Sequence, residues 1–369
     1  MDRIHRSHPR SAMVEGASVP SRFSQLDPLK DPRWPEFLRR HAGASIFHTS
    51  GWLRALQRTY DYEPTVFTSS RAGEALADGM VFCKVKSWFG KPRLVSLPFS
   101  DHVAPLVSNQ DNVHALLTFL AESTEQGDWS SVELRPPYVL KGSAKLAEYG
   151  EGQAFVLHTL DLEPSLEKLF QGLHKDSTQR KILKAQRQGM KYEEGRGERQ
   201  LREFFRLCVM TRRRKALPPP PFEWFRNVLR CVGENAKIRI AKTSKGELAG
   251  AIVTLHFKDV ALFKYGCSDA RFHKLGTMPF LLWKAIEDAK SSGARQFDFG
   301  RSEMENSGLI RFKDHFGAQR SNFLHKVYPA TAWEPGADSW KLDVAKKVFA
   351  RLPDRALVAA GKFLYPHIG

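Results

Sequence analysis

KYGCSDARFHKLGTMPFLLWKAIEDAKSSGARQFDFGRSEMENSGLIRFKDHFGAQRSNFLHK, residues 264–326, reads as strand, basic turn, helix, strand, short helix, strand. The strand Val260–Gly266 leads into the turn SDARFHKLGT, and the next helix begins near Thr277 with Pro279 in its first turn, where proline is tolerated. The first N–H groups of a helix lack internal partners and point ahead of it. With Arg271, His273, Lys274, Gly276 and Thr277 around them, they make a candidate pyrophosphate cradle. Gly293 then turns the chain into the strand Arg295–Phe299. Phe297 and Phe299 face one side of it, so Asp298 faces the other, at the strand end where ligands sit in open α/β sheets. The structural alternative for Asp298 is a carboxylate that caps the following loop or pairs with an arginine.

Upstream, Ile238–Ala241, Leu248–Phe257 and Val260–Gly266 read as successive antiparallel strands. Helices are expected over Ser177–Gln188, stopped by Gly189, and over Leu201–Lys215, broken by Pro218–Pro221. Residues 171–230 hold 16 basic and 6 acidic side chains. This is either a solvated cluster that ends its helices favourably or an anion-binding face. Before residue 150, Thr49 or Ser50 caps a helix carrying Trp52, Leu53, Leu56 and Tyr60. Strands follow at 64–69, 78–85, 93–97 and 131–134, with the Pro-punctuated loop Leu97–Leu106 and a helix at 113–122 between them. Another strand reads over Phe155–Leu160, followed by the apolar stripe 162–173. Beyond Tyr328 a Pro/Gly/Ala linker leads to a helix with Trp340, Val344, Val348, Phe349 and Leu352 on one face and Lys341, Lys346, Lys347 and Arg351 on the other. ALVAAGKFLY follows.

The chain has 369 residues, 57 Lys and Arg against 40 Asp and Glu, and a formal charge of +17. That balance favours polyanionic partners: nucleic acid, anionic membrane or phosphorylated substrates. The four cysteines, Cys83, Cys208, Cys231 and Cys267, lie far apart, which argues against a disulfide framework or zinc site and for a reducing compartment. No apolar run is long enough to span a bilayer. The expected location is the cytoplasm, with the inner membrane face as a peripheral contact. Asp298-Phe299-Gly300 matches three letters of a kinase motif, but no His-Arg-Asp loop or glycine-rich loop accompanies it. Gly-x-Ser-x-Gly and His-Glu-x-x-His motifs are absent too.

The order of elements, with FHTSGWLRAL, WFGKPRLVSLPFSDHVAPL, STQRKILKAQRQGM, TRRRKALPPPP, FDFGRS, GLIRFKDHFGA and ARLPDRALVAAGKFLYPHIG, resembles the acyl-CoA N-acyltransferase (GNAT) superfamily in its FemAB-like branch. It is most similar to FemAB-related proteins of bacterial exopolysaccharide and exosortase (PEP-CTERM) systems. The resemblance implies an α/β fold of two tandem GNAT-like domains with mixed, largely antiparallel sheets. The expected division is a flexible tail (1–22), a first domain (23–150), a second carrying the active site (151–330), and a linker with basic amphipathic helices (331–369).

The implied activity is transfer of an acyl or aminoacyl group to an amine of a cell-envelope or exopolysaccharide precursor. The donor would be acyl-CoA or aminoacyl-tRNA, with no metal. The family's Phe-Lys pair falls on Phe312-Lys313, the lysine stabilising charge at the acyl carbonyl and the phenylalanine shaping the pocket. Arg180 and Lys184 fall on a basic helix facing donor or acceptor phosphates. Asp101 falls on an acidic acceptor contact, and Asp298 and Arg301 would orient groups at the strand end. Two departures leave the donor open: the acetyl-CoA consensus is degenerate in RFHKLGT (271–277), and no helical hairpin arm is legible between 150 and 330. The competing readings are a non-catalytic basic protein binding RNA or membrane, and a scaffold in a polysaccharide-synthesis complex.

Overall fold

The computed structural model describes residues 23–86, 90–107, 110–140, 144–332 and 339–368. The expected tail at 1–22 and most of the expected linker lie outside the described residues, as do the side chains of Trp340, Lys341 and Val344. The chain begins with β1 (Ser24–Leu26), α1 (Arg33–Arg40), α2 (Ser50–Tyr60), β2 (Glu63–Thr68), β3 (Met80–Val85) and β4 (Arg93–Val95). Helix α3 (Gln110–Gln126) crosses to β5 (Ser131–Leu134), and the short α4 (Ala144–Ala147) leads to β6 (Gly150–Asp161). Next come α5 (Leu166–Gln171), α6 (Arg180–Arg187), β7 (Lys191–Gly195), α7 (Glu198–Arg214) and α8 (Phe222–Val232). The antiparallel run β8 (Ala236–Lys242), β9 (Leu248–Phe257) and β10 (Val260–Ser268) precedes α9 (Thr277–Ser291), β11 (Gln296–Glu303), α10 (Ser307–Asp314) and β12 (Gln319–Tyr328). Two helices close the described chain, α11 (Ser339–Arg351) and α12 (Asp354–Leu364).

All the described strands join one mixed sheet in the order β1-β2-β3-β4-β5-β12-β6-β11-β10-β9-β8-β7. Where two sheets were expected, β12 joins them: it pairs antiparallel with β5 on one side and with β6 on the other. Among the described strands only β4–β5 and β10–β11 pair in parallel, each bridged by a helix. The central strands are buried almost continuously because helices cover both faces. One core packs Trp52 of α2 and Trp224 of α8 against β8, β9 and β10, with the two indole rings 5.1 Å apart. A second packs α6 and α9 on the opposite face with Phe297, Phe299 and Phe316.

Three local differences from the sequence reading matter. Strand β7, KYEEG, lies at the sheet edge and carries no apolar alternation. Helix α8 resumes directly after the proline run. Strand β11 does not stop at Phe299 but continues to Glu303 through Gly300, whose φ of 69° glycine adopts without strain.

Candidate active site

The parallel pairing of β10 and β11 covers Val260–Leu262 against Gln296–Asp298 and then ends. Both strands become irregular at that level. Strand β10 shifts register against β9 between Phe263 and Tyr265, and β11 shifts against β6 between Asp298 and Arg301. Each then follows its outer neighbour, so the two part like a wedge. A cavity of about 590 Å³ occupies the wedge, walled by β10, β11, α7, α10 and Tyr365.

Lys313, on α10, lies against this cavity with only 2% of its surface exposed. Its Nζ donates to the Gly300 carbonyl at 2.7 Å and to the Arg301 carbonyl at 3.1 Å. Two of an ammonium's three donors are thereby engaged. The third has no protein acceptor among the described residues. Burial lowers the Lys313 pKa from 10.5 to about 8, against the opposing pull of Asp101 and Asp298. The side chain is therefore still mostly a cation at neutral pH, and its burial strengthens the action of its charge.

Gly300 fixes that arrangement. A Cβ there would stand 3.2 Å from the Phe263 carbonyl and 3.4 Å from Asp101 Cγ, on a left-handed backbone. Asp298 secures the bulge by accepting the Gly300 N–H on Oδ1 at 2.6 Å. Its other oxygen lies 2.9 Å from His102 Nε2. The carboxylate thus caps its own loop and holds a residue of the first half. It faces away from Phe297 and Phe299, which pack in the second core, and it does not line the cavity among the described residues.

Asp101 does line it, paired with Lys264 Nζ at 2.8 Å. Burial works to raise the Asp101 pKa, but Lys264 and Arg301 outweigh it and hold the carboxyl below its usual range. Burial lowers the Lys264 pKa, and Asp101 opposes that. The rings of Phe47, Trp52 and Tyr265 surround the same ammonium at 5.2 to 5.7 Å.

Arg301 reaches the cavity from β11 and stacks over Phe155 at 4.2 Å. It donates from Nη1 to His325 Nε2 at 3.1 Å, which leaves the histidine's Nδ1–H to meet Glu133 Oε1 at 3.2 Å. Arg135 holds the same oxygen through its Nε at 2.8 Å. Burial lowers the His325 pKa to about 4, so the ring is neutral and can accept from Arg301. Burial pushes the Glu133 pKa up, yet Arg135 and His325 overcome it and keep the carboxyl ionised.

The basic turn forms a separate group at the head of α9. Arg271 pairs with Asp269 through Nε and Nη2, and His273 Nε2 lies 2.9 Å from Ser268 Oγ. Thr277 Oγ1 donates to the Phe272 carbonyl at 3.1 Å. Lys184 Nζ donates to the Lys274 carbonyl at 2.9 Å, tying α6 to the turn. Gly276 has φ 81°, and a Cβ there would meet the Lys181 carbonyl at 2.4 Å. Arg180 is on the same helix and pairs with Asp176 at 3.3 Å.

The expected residues therefore divide. Lys313, Arg301 and Asp101 share the cavity, Arg271, His273, Lys274, Gly276, Thr277 and Lys184 gather at the turn, and Arg180 pairs with Asp176 apart from both. Phe312 joins neither group: it packs in the second core against Phe316, with ring centroids 5.4 Å apart, and is not among the cavity-lining residues. Lys264, His102, His325 and Glu133 were not singled out from the sequence, whereas Arg212, which also lines the cavity, falls in the basic run that ends α7. Lys264 left one signal, a lysine within the apolar strand VALFKYGCS. The others lie on distant segments with no shared pattern. Among the described residues no cluster of three metal-ligating side chains occurs.

Residues 174–314 match the acetyltransferase (GNAT) domain family. Among solved structures, FemX aligns with a TM-score of 0.66 at 13% identity, over 83% of this chain and 97% of its own. L-PGS from Bacillus licheniformis aligns at 0.51 and 14% identity, over 88% and 98%. A tandem GNAT protein from the clavulanic acid biosynthesis pathway aligns at 0.51 and 13%, over 84% and 98%. No curated protein matches the sequence. Residues 174–314 thus form a domain of GNAT acetyltransferase type. The likeness to solved structures adds the fold: the chain as a whole is folded like FemX.

Proposed function

We propose that this acyltransferase moves an acyl or aminoacyl group from acyl-CoA or aminoacyl-tRNA to an amine of a cell-envelope or exopolysaccharide precursor, without a metal. The observation that carries the reading is Lys313, a buried cation with one donor left for the cavity. The similarity to FemX and L-PGS supports an aminoacyl donor, and the matched GNAT domain supports a thioester donor.

Donor phosphates would sit at the turn, where Thr277 and Met278 offer the first free N–H groups of α9. Lys274 and Arg271 would supply cations nearby. The reactive end of the donor would extend into the wedge. The acceptor amine attacks the acyl carbon, and the oxyanion that forms is stabilised by Lys313. The carbon–sulfur or carbon–oxygen ester bond then breaks. The leaving thiolate or alkoxide takes up a proton, and the amine nitrogen loses one to water or a substrate phosphate. Arg301, which also lines the cavity, would orient the acceptor. In this reading residues 151–330 carry the chemistry, and 23–150 contribute Asp101 and His102.

The test offers the purified protein radiolabelled acetyl-CoA and radiolabelled aminoacyl-tRNA in parallel, with an envelope extract as acceptor. Label should enter an amide product from one donor, and Lys313→Ala should abolish it. Failure of both donors, or full activity of Lys313→Ala, would contradict the reading.

A further inference from the structure

Helices α11 and α12 carry a surface that the acyl-transfer chemistry does not use. Val348, Phe363 and Ile368 are 52%, 63% and 57% exposed there. The same two helices carry the exposed cations Lys347, Arg351, Arg355 and Lys362. Among the described residues none of these four pairs with a carboxylate. The acidic Asp354 is engaged by Arg213 at 2.5 Å. The other large exposed apolar side chains, Tyr138, Val139, Leu183 and Met304, belong to other parts of the molecule.

The last helix is held firmly. Leu357 is fully buried, and a Cβ on Gly361 would stand only 2.0 Å from the Pro219 carbonyl. Tyr62 donates its hydroxyl to the Pro366 carbonyl at 3.0 Å. The exposed face therefore has a fixed position, and that position adjoins the site: Tyr365 and Ile368 line the cavity, as do Arg212 and Lys215.

We infer that this face docks on an anionic phospholipid bilayer and sets the cavity mouth against it. Unpaired cations beside exposed apolar side chains, with the helix lying flat, are what an interfacial helix requires. No helix of the described residues is long and apolar enough to cross a membrane, so the contact is at the surface. Exposed Val348 and Ile368 favour lipid over RNA, because aliphatic side chains offer a base nothing to stack on. The inference rests on the acyl-transfer reading only for its purpose, which is to bring the enzyme to an acceptor presented at the bilayer.

The test is co-sedimentation of the full chain with vesicles of phosphatidylglycerol and phosphatidylcholine, against pure phosphatidylcholine, at low and high salt. Binding should need the anionic lipid and weaken with salt. Each of Lys347→Gln, Arg351→Gln and Lys362→Gln should lower the partition coefficient by about fivefold, and Phe363→Asp should remove the binding that persists at high salt. Phe363→Asp should transfer normally to a water-soluble amine. Lys313→Met should lose that transfer and sediment normally, which separates failure of the docking idea from failure of the acyl-transfer reading. Equal binding to both vesicles, no binding to either, or binding to RNA in place of vesicles would overturn the inference.

Discussion

Among the described residues two parallel strand–helix–strand units occur, β4–α3–β5 and β10–α9–β11, each with the same three-pair parallel register. In the first, the strands are three and four residues long and end with that register. In the second they run nine and eight residues, outlast their pairing and part around a cavity. The helix starts differ as well. Asp111 occupies the first turn of α3, whereas the first turn of α9 has no acidic residue and follows a basic turn. An anion therefore suits only the second helix. The first unit instead sends its loop across, so that Asp101 and His102 reach Lys264 and Asp298. One topology thus takes two forms: strand length and the charge at the helix head set apart the copy that opens around the cavity.

Breaking the contact between the units should have the largest effect. Asp101→Ala leaves Lys264 as a buried charge without its partner and should destabilise the fold by about 3–5 kcal/mol. Chemical denaturation measures this, and Asp101→Ala with Lys264→Met should recover most of the loss. Next comes the donor head of the second unit. Gly276→Ala places a Cβ against the Lys181 carbonyl on a left-handed backbone and should cost about 1–3 kcal/mol. It should raise the donor KM while leaving the acceptor KM alone, as steady-state kinetics will show.

A smaller change should follow from freeing Arg301. His325→Phe removes the acceptor that aims its side chain and a donor to Glu133; it should slow transfer by about tenfold with unchanged donor KM and cost about 1–3 kcal/mol of stability. The smallest is a stability effect of Lys313 itself. Its folded pKa of about 8 lies below the usual 10.5. Between those values the unfolded chain binds more protons, so this residue's contribution to stability rises with pH. The stability difference between wild type and Lys313→Met, followed by thermal melting, should shift in favour of wild type across that window.

Much of the second unit was legible because its signals are local. The run β8–β9–β10, the helix at Thr277, the two faces of β11 and the short helix bearing Lys313 follow from periodicity and turn residues. Asp298 was placed on the correct face for the same reason. What was not legible depends on partners far away in sequence. The burial of Lys264 is explained by Asp101, 163 residues earlier. The single sheet depends on β12 inserting between β5 and β6, a pairing with no local mark. Edge strand β7 is polar because it has little to bury, and the repeated strand–helix–strand topology is hidden because the two copies share geometry rather than residues.

The central claim is that Lys313 acts as a cation on the reacting carbonyl. Its most direct test is the ratio of single-turnover transfer rates, wild type over Lys313→Met, measured from pH 6 to 10 with one acceptor, so that the acceptor's own ionisation cancels. This role predicts a ratio of about 10²–10³ that is flat at low pH and falls tenfold per unit above about 8, where the lysine loses its proton. A ratio near one, or one that rises with pH as it would for a lysine acting as a base, would contradict it.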